Sequence, residues 1–232
     1  MTAANPWDIN FTVFFSSPQQ QTFQDYRKPV VDKSFVTKLF SPLWAWIAHQ
    51  IPTYVAPNVL NLASLLCLLQ AFYLNLLYIE TQPTVVSIVA LLLVLAYHTL
   101  DAVSTKYAKI IDNSSPLSEL FQYACTSVGV VFTSLTLSIV LGISITQIST
   151  LWYVVQISQL ICLREHIQAF KRGYVQVSVL GGEGEIIWLI VILIFARAVF
   201  GLEPFHLVVG LYIPNFRFLF FKVSKCGHYI NK

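Results

Sequence analysis

The sequence predicts an all-α integral membrane protein, a bundle of about six transmembrane helices preceded by an interfacial amphipathic helix. Hydrophobic residues make up 56% of the 232 residues and charged residues only 11%, and the mean hydropathy is +0.67. A soluble domain cannot hide so much apolar surface. Several apolar runs are long enough to cross a hydrocarbon core of about 30 Å, which takes about 20 helical residues.

Composition divides the chain into four predicted parts. Residues 1–33 form a polar N-terminal extension whose first 25 residues contain no Lys or Arg, which excludes a basic secretory signal or an Arg-rich presequence. Residues 34–51 form the amphipathic helix, residues 52–223 the transmembrane domain, and residues 224–232 a basic C-terminal tail.

The amphipathic helix is predicted from an N-terminal cap and a repeating apolar pattern. Asp32 or Ser34 is suited to cap it, and apolar residues recur every four positions at Phe35, Leu39, Leu43 and Ile47. Trp44 and Trp46 flank this stripe. The pattern favours a helix in the membrane interface with its tryptophans at headgroup depth, and a packed entry helix is the alternative.

Six apolar segments are predicted to span the membrane. Their bounds are 58–79, 84–101, 119–142, 146–163, 185–201 and 205–221. The sixth is interrupted by Pro214 and Asn215 and contains Arg217, so its hydropathy alone is also compatible with a surface location.

The distribution of positive charge predicts the orientation of these spans. Lys and Arg lie before the first span, between the second and third, and between the fourth and fifth, but not in the alternate short loops. Under the positive-inside rule, both termini lie on the cytosolic or matrix side if the sixth segment crosses. The net charge of +3 therefore indicates orientation, and no nucleic-acid partner is expected.

Residues 100–127 read LDAVSTKYAKIIDNSSPLSELFQYACTS and carry an active-site frame. This stretch resembles, without insertion or deletion, the motif D-x-x-D-G-x-x-A-R-x8-G-x3-D-x3-D of the CDP-alcohol phosphatidyltransferase family. Asp101 keeps the first acid and Ala108 the alanine. The other motif positions are substituted; they are Ser104, Thr105, Lys109, Ser118, Gln122 and Thr126.

Flanking segments extend the resemblance to the choline/ethanolamine phosphotransferase branch. Residues 113–121 are similar to that branch's N-S-S-P-L-G-E-L-F, and residues 56–58 match its A-P-N. The resemblance covers roughly residues 26–201, while the enzymes of this branch are longer. It implies that residues 52–223 have the family's transmembrane fold.

The substitutions predict that metal binding is lost. The resemblance implies a reaction in which four acids hold divalent cations on the phosphates, and Mg²⁺ prefers hard oxygen ligands. One of the four acids remains, so Asp101, Glu119 and Glu185 are only remnants of a metal site. Thr126 replaces the acid that serves the family as base. We therefore expect no catalytic residues, no metal and no cofactor.

Basic residues near the motif are candidates for lipid contacts. Lys106 and Lys109 lie beside the motif, and Arg197 lies within the fifth span, where a cation is costly without a partner. Glu185 and Asp101 are possible partners of Arg197. A contact with a lipid phosphate is the functional alternative, so these three cations are the predicted lipid-binding residues.

Two functions remain open at this point. The first is a pseudoenzyme that serves as a structural, phospholipid-binding subunit of a larger membrane complex, a role favoured by its extensive apolar faces. The alternative is an active CDP-choline/CDP-ethanolamine:diacylglycerol phosphotransferase that uses Mg²⁺. The resemblance implies the endoplasmic reticulum, and the mitochondrial inner membrane is the other candidate location.

Overall fold

The computed structural model describes residues 30–32, 34–111, 116–177, 183–203 and 205. Within these ranges the chain forms six helices and two short strands. The helices are α1 (Phe35–Gln50), α2 (Pro57–Tyr78), α3 (Pro83–Ile110), α4 (Pro116–Val140), α5 (Ile148–Arg172) and α6 (Glu183–Phe200). The strands are β1 (Val30–Asp32) and β2 (Val175–Val177).

The predicted helical architecture is confirmed, with one addition. β1 and β2 pair in parallel, with Val30 opposite Val175. Segments of three residues are too short to show an alternating pattern, so the sequence did not reveal them. Their pairing ties the start of the described chain to the connection between α5 and α6.

The helix predicted over residues 34–51 forms as α1, and one of its two tryptophans is buried. Ser34 caps α1, because its side chain accepts a hydrogen bond from the backbone N–H of Thr37 at 3.1 Å. The helix buries Val36, Trp44 and Ala48 against the bundle. Trp44 is therefore a core residue and does not lie on the outer face of the helix. The stripe that contains Phe35, Leu39 and Leu43 faces outward.

Small and aliphatic side chains form the centre of the bundle. There α3 packs against both α2 and α6, and α2 also packs against α4. Ala71 and Ala90 are fully buried and allow the helices to approach closely. The fully or nearly fully buried members of this core are Leu68, Ala71, Ala90, Val94, Tyr97, Val140, Ile187, Ile190, Val191 and Ile194.

The outer surface of the helices is apolar, whereas several polar side chains are buried. On α2, Leu62 and Leu66 are exposed while Asn61 and Asn75 are buried. This distribution is the reverse of that in a soluble bundle and is typical of helices surrounded by lipid, where polar residues face the interior.

Within the described ranges, three helices are long and apolar enough to cross a membrane: α2, α3 and residues 117–140 of α4. The chain is therefore an integral membrane protein. Six spans are not confirmed. The second half of α5 carries four charged residues, and α6 carries Glu183, Glu185 and Arg197. Residues 1–29, nearly all of the predicted sixth span and the C-terminal tail lie outside the described residues.

Tyr107 of α3 fixes the connection between α1 and α2. Its side chain is fully buried, and its hydroxyl lies 2.8 Å from the carbonyl oxygen of Pro52 and 3.0 Å from that of Val55, to which it donates. Both carbonyl groups belong to a loop without regular structure, and that of Pro52 also accepts from the backbone N–H of Val55 at 3.1 Å.

We predict that Tyr107→Phe lowers the free energy of unfolding by about 1–3 kcal/mol, because the hydrogen bond between this hydroxyl and the loop is lost while the ring packing is kept. Thermal unfolding in detergent measures the effect. Tyr153→Phe is the matched control, since Tyr153 is 66% exposed. Equal unfolding midpoints for the two variants would contradict this account.

Candidate active site

The motif lies at one end of the bundle, where α3 ends and α4 begins. Asp101 to Lys109 occupy the last part of α3, and Ser118 to Thr126 occupy the first part of α4. The start of α2 reaches the same end, because α2 and α3 are antiparallel neighbours. Residues 112–115 of the motif stretch lie outside the described residues.

Ser104 links the motif helix to α2. Its side chain is buried, and its hydroxyl lies in hydrogen-bond contact with the side-chain oxygen of Asn61 and within 2.7 Å of the backbone oxygen of Asp101. A motif position that holds an acid in the family thus forms a neutral contact between helices here. Asn61 was not predicted as a site residue, although an amide side chain within an apolar segment is a signal that the sequence contains.

Two more contacts bring the substituted motif positions together. The amide nitrogen of Gln122 donates to the hydroxyl of Thr105 at 2.9 Å, which joins α4 to α3. The hydroxyl of Ser118 donates to the side-chain oxygen of Asn58 at 2.9 Å, which joins α4 to α2. The ungapped spacing therefore places these positions on facing helices, as the resemblance implies.

The remaining motif residues have different environments. Lys109 is exposed in the last turn of α3, and Ala108 and Thr126 are half-buried. Lys106 donates to the hydroxyl of Ser41 on α1 at 2.8 Å. Lys106 therefore helps to hold α1, whereas the side chain of Lys109 is exposed.

Glu185 occupies a position that the sequence did not predict. Its Oε1 accepts hydrogen bonds from the hydroxyl of Ser34 at 2.6 Å and from the backbone N–H groups of Phe35 at 3.0 Å and Val36 at 3.5 Å. The N-terminus of a helix carries partial positive charge and unpaired N–H groups, which favour a carboxylate. Glu185 thus caps α1 from α6, and its assignment as a remnant of a metal site stays a prediction.

The same contacts determine the ionisation of Glu185. Burial raises the pKa of this carboxyl group, but the hydrogen bonds from Ser34 and from the backbone lower it by more. The net pKa lies below the ordinary value, so Glu185 is anionic at neutral pH.

Arg197 lies away from the motif. α6 begins where Gly184 faces His98 and ends near Leu202, which lies beside Gly142 after the end of α4. The 12 residues from Glu185 to Arg197 correspond to about 18 Å along the helix. Arg197 therefore lies away from Lys106 and Lys109, and neither Glu185 nor Asp101 is within reach of it. The role of the three cations in lipid binding stays a prediction.

The donor set does not fit a magnesium ion held by the protein alone. Within the described part of the chain, no three His, Cys, Asp or Glu side chains come together. The side chains of Ser104 and Gln122 are neutral and donate to Asn61 and Thr105. Glu119 lies in the first turn of α4, where the helix N-terminus favours a carboxylate.

Comparison with known proteins supports the resemblance found in the sequence. No sequence-family profile matches the chain. It is 30% identical over 133 residues to cholinephosphotransferase 1 of Gallus gallus. The aligned region covers 56% of this chain and 39% of that protein. It is 26% identical over 196 residues to choline/ethanolaminephosphotransferase 1 of Arabidopsis thaliana, covering 82% of this chain and 49% of that protein.

A Dictyostelium discoideum protein described as an uncharacterized CDP-alcohol phosphatidyltransferase class-I family protein is 27% identical over 159 residues, or 64% of this chain and 42% of its own length. The chain thus spans less than half the length of these relatives. Two of the three are named as enzymes. The prediction of an inactive protein, made from the lost acids, is corrected by these names, because the similarity associates the chain with phosphotransferases.

We predict that the combined substitutions Ser104→Asp, Gln122→Asp and Thr126→Asp tighten Mg²⁺ binding by about tenfold or more, because affinity rises with the number of charged oxygen ligands. Titration calorimetry on the purified chain measures this change. The control carries Gln82→Asp, Thr146→Asp and Ser149→Asp at the opposite end of the bundle. Equal Mg²⁺ affinity of the two folded variants would show that the three motif positions do not share a site.

Proposed function

Because this chain is a relative of the CDP-alcohol phosphatidyltransferases of the choline/ethanolamine branch, we propose that it transfers a phosphoaminoalcohol group from a CDP-alcohol to the hydroxyl of diacylglycerol. The observation that carries the proposal is the ungapped motif on α3 and α4, whose positions 105 and 122 are in contact. Similarity to proteins named as cholinephosphotransferases supports the choice of substrates.

The proposed reaction is a displacement at phosphorus. The lipid hydroxyl attacks the phosphorus that carries the aminoalcohol, a new P–O bond forms, and the bond to the cytidine monophosphate leaving group breaks. The hydroxyl proton passes to a base. Asp101 retains a carboxylate at the first motif position, and we assign it this role.

Lys109 contributes positive charge to the proposed site. It stands at the motif position of the family's arginine and is exposed at the end of α3. An ammonium group there stabilises the charge that develops on the phosphoryl oxygens. Because the described donors do not fit a resident dication, no step is assigned to one, and dependence on Mg²⁺ is left to the assay.

The distribution of charge supports an orientation for the site. Lys106 and Lys109 at the end of α3 share the motif end with the N-terminal part of α1, which carries Lys38. By the positive-inside rule this end faces the cytosol or the matrix. The choice between endoplasmic reticulum and mitochondrial inner membrane stays a prediction.

The outward apolar faces suit contact with phospholipids. In this proposal the lipid substrate reaches the site from the same surface. Residues such as Leu92 on α3 and Trp152 on α5 are more than half exposed. Contact of this surface with other protein subunits stays a prediction.

We predict that Asp101→Asn lowers headgroup transfer by about 100-fold or more, because the motif loses its base. The assay uses the full chain in liposomes that contain diacylglycerol, with labelled CDP-choline and CDP-ethanolamine in the presence and absence of Mg²⁺. Glu80→Gln is the control, since it removes a carboxylate at the opposite end of the bundle. Failure of the unaltered chain to transfer either headgroup contradicts the proposal.

A further inference from the structure

Three buried polar atoms without hydrogen-bond partners lie where α1, α3 and α6 meet. They are Oε2 of Glu185, Nε2 of His98 and Nε1 of Trp188, each unpartnered within the described structure. Burying such atoms without partners costs free energy, so this arrangement indicates that something else pairs with them. His98 is itself more than nine-tenths buried.

Ring contacts place these groups in one cluster. The rings of Trp44 and His98 meet edge-on with centroids 5.4 Å apart, and the rings of Phe40 and Trp188 stack at 4.9 Å. A Cβ atom added to Gly184 would lie 3.5 Å from Cε1 of His98, so the start of α6 approaches this imidazole closely. Glu185 follows Gly184 directly and precedes Trp188 by one turn.

The chemistry of the cluster suits a cation that donates hydrogen bonds. One oxygen of the Glu185 carboxylate caps α1, while the other is buried and unpaired. A buried anionic oxygen favours a positive charge beside it, and aromatic walls stabilise cations further. Nε2 of His98 is an acceptor when the ring proton is on Nδ1, so an ammonium group in this position can donate to two acceptors.

We propose that the cluster of Trp44, His98 and Glu185 binds the primary ammonium group of an aminoalcohol, so that ethanolamine is preferred over choline as the headgroup. A trimethylammonium group has no N–H and leaves both acceptors unpaired. His98 precedes Asp101 by one turn of α3, so an ammonium group here stands beside the proposed phosphoryl site. The inference rests on the proposed function, because it identifies the headgroup of that substrate.

The test measures binding of labelled CDP-ethanolamine and CDP-choline to the full chain in nanodiscs by equilibrium dialysis. We expect CDP-ethanolamine to bind at least about tenfold more tightly, since a site built to hydrogen-bond an N–H rejects the analogue that lacks it. In Glu185→Gln and in His98→Leu the preference should fall to about twofold or less. Glu165→Gln, which changes a carboxylate that is 52% exposed, should retain it.

The outcomes separate this inference from the proposed function. Equal binding of both nucleotides by the unaltered chain overturns the ammonium site but leaves the proposed headgroup transfer intact. A buried water molecule would then be the partner of the three polar atoms. Binding of neither nucleotide overturns both proposals. Glu185→Gln also alters the cap of α1, so the His98→Leu variant is the independent test. A preference for CDP-ethanolamine that survives in folded His98→Leu contradicts the assignment.

Discussion

The carboxylate of Glu185 joins α6 to the first turn of α1 across 150 residues of sequence, and the arrangement of the motif end depends on this contact. It satisfies N–H groups that would otherwise have no partner inside the helix. Once α1 is held there, Trp44 packs against His98 and Lys106 reaches Ser41. The loop after α1 then lies within reach of the Tyr107 hydroxyl. One anionic side chain thus positions the helix that covers the end of α3.

The helices were predictable because each is a long apolar segment bounded by polar or Pro-containing turns. The predicted span 58–79 corresponds to α2, Pro57–Tyr78, and the predicted span 185–201 corresponds to α6, Glu183–Phe200. The face that each helix buries was harder to predict. The stripe of Phe35, Leu39 and Leu43 on α1 is exposed, so the spacing of apolar residues did not identify the buried face. Buried polar residues such as Asn61 mark the interior better.

The candidate site was predictable in its frame but not in its contacts. Motif spacing indicated that positions 105 and 122 belong to one site, and they meet in the structure. The partnership of Ser104 with Asn61 and the capping role of Glu185 join residues that are distant in sequence. The residues next to them in sequence form no recognisable motif, and a local sequence pattern does not specify which helices pack together. The loss of acids was correctly observed, but it did not establish that the chain is inactive.

The central claim is that the motif end of the bundle binds a CDP-alcohol. The most direct test is an experimental structure of the full chain in nanodiscs with CDP-ethanolamine. The account predicts density for the diphosphate beside Asp101 and Lys109, with the ammonium group within hydrogen-bond distance of Glu185. Nucleotide density elsewhere, or an unchanged motif end at saturating CDP-ethanolamine, would contradict it.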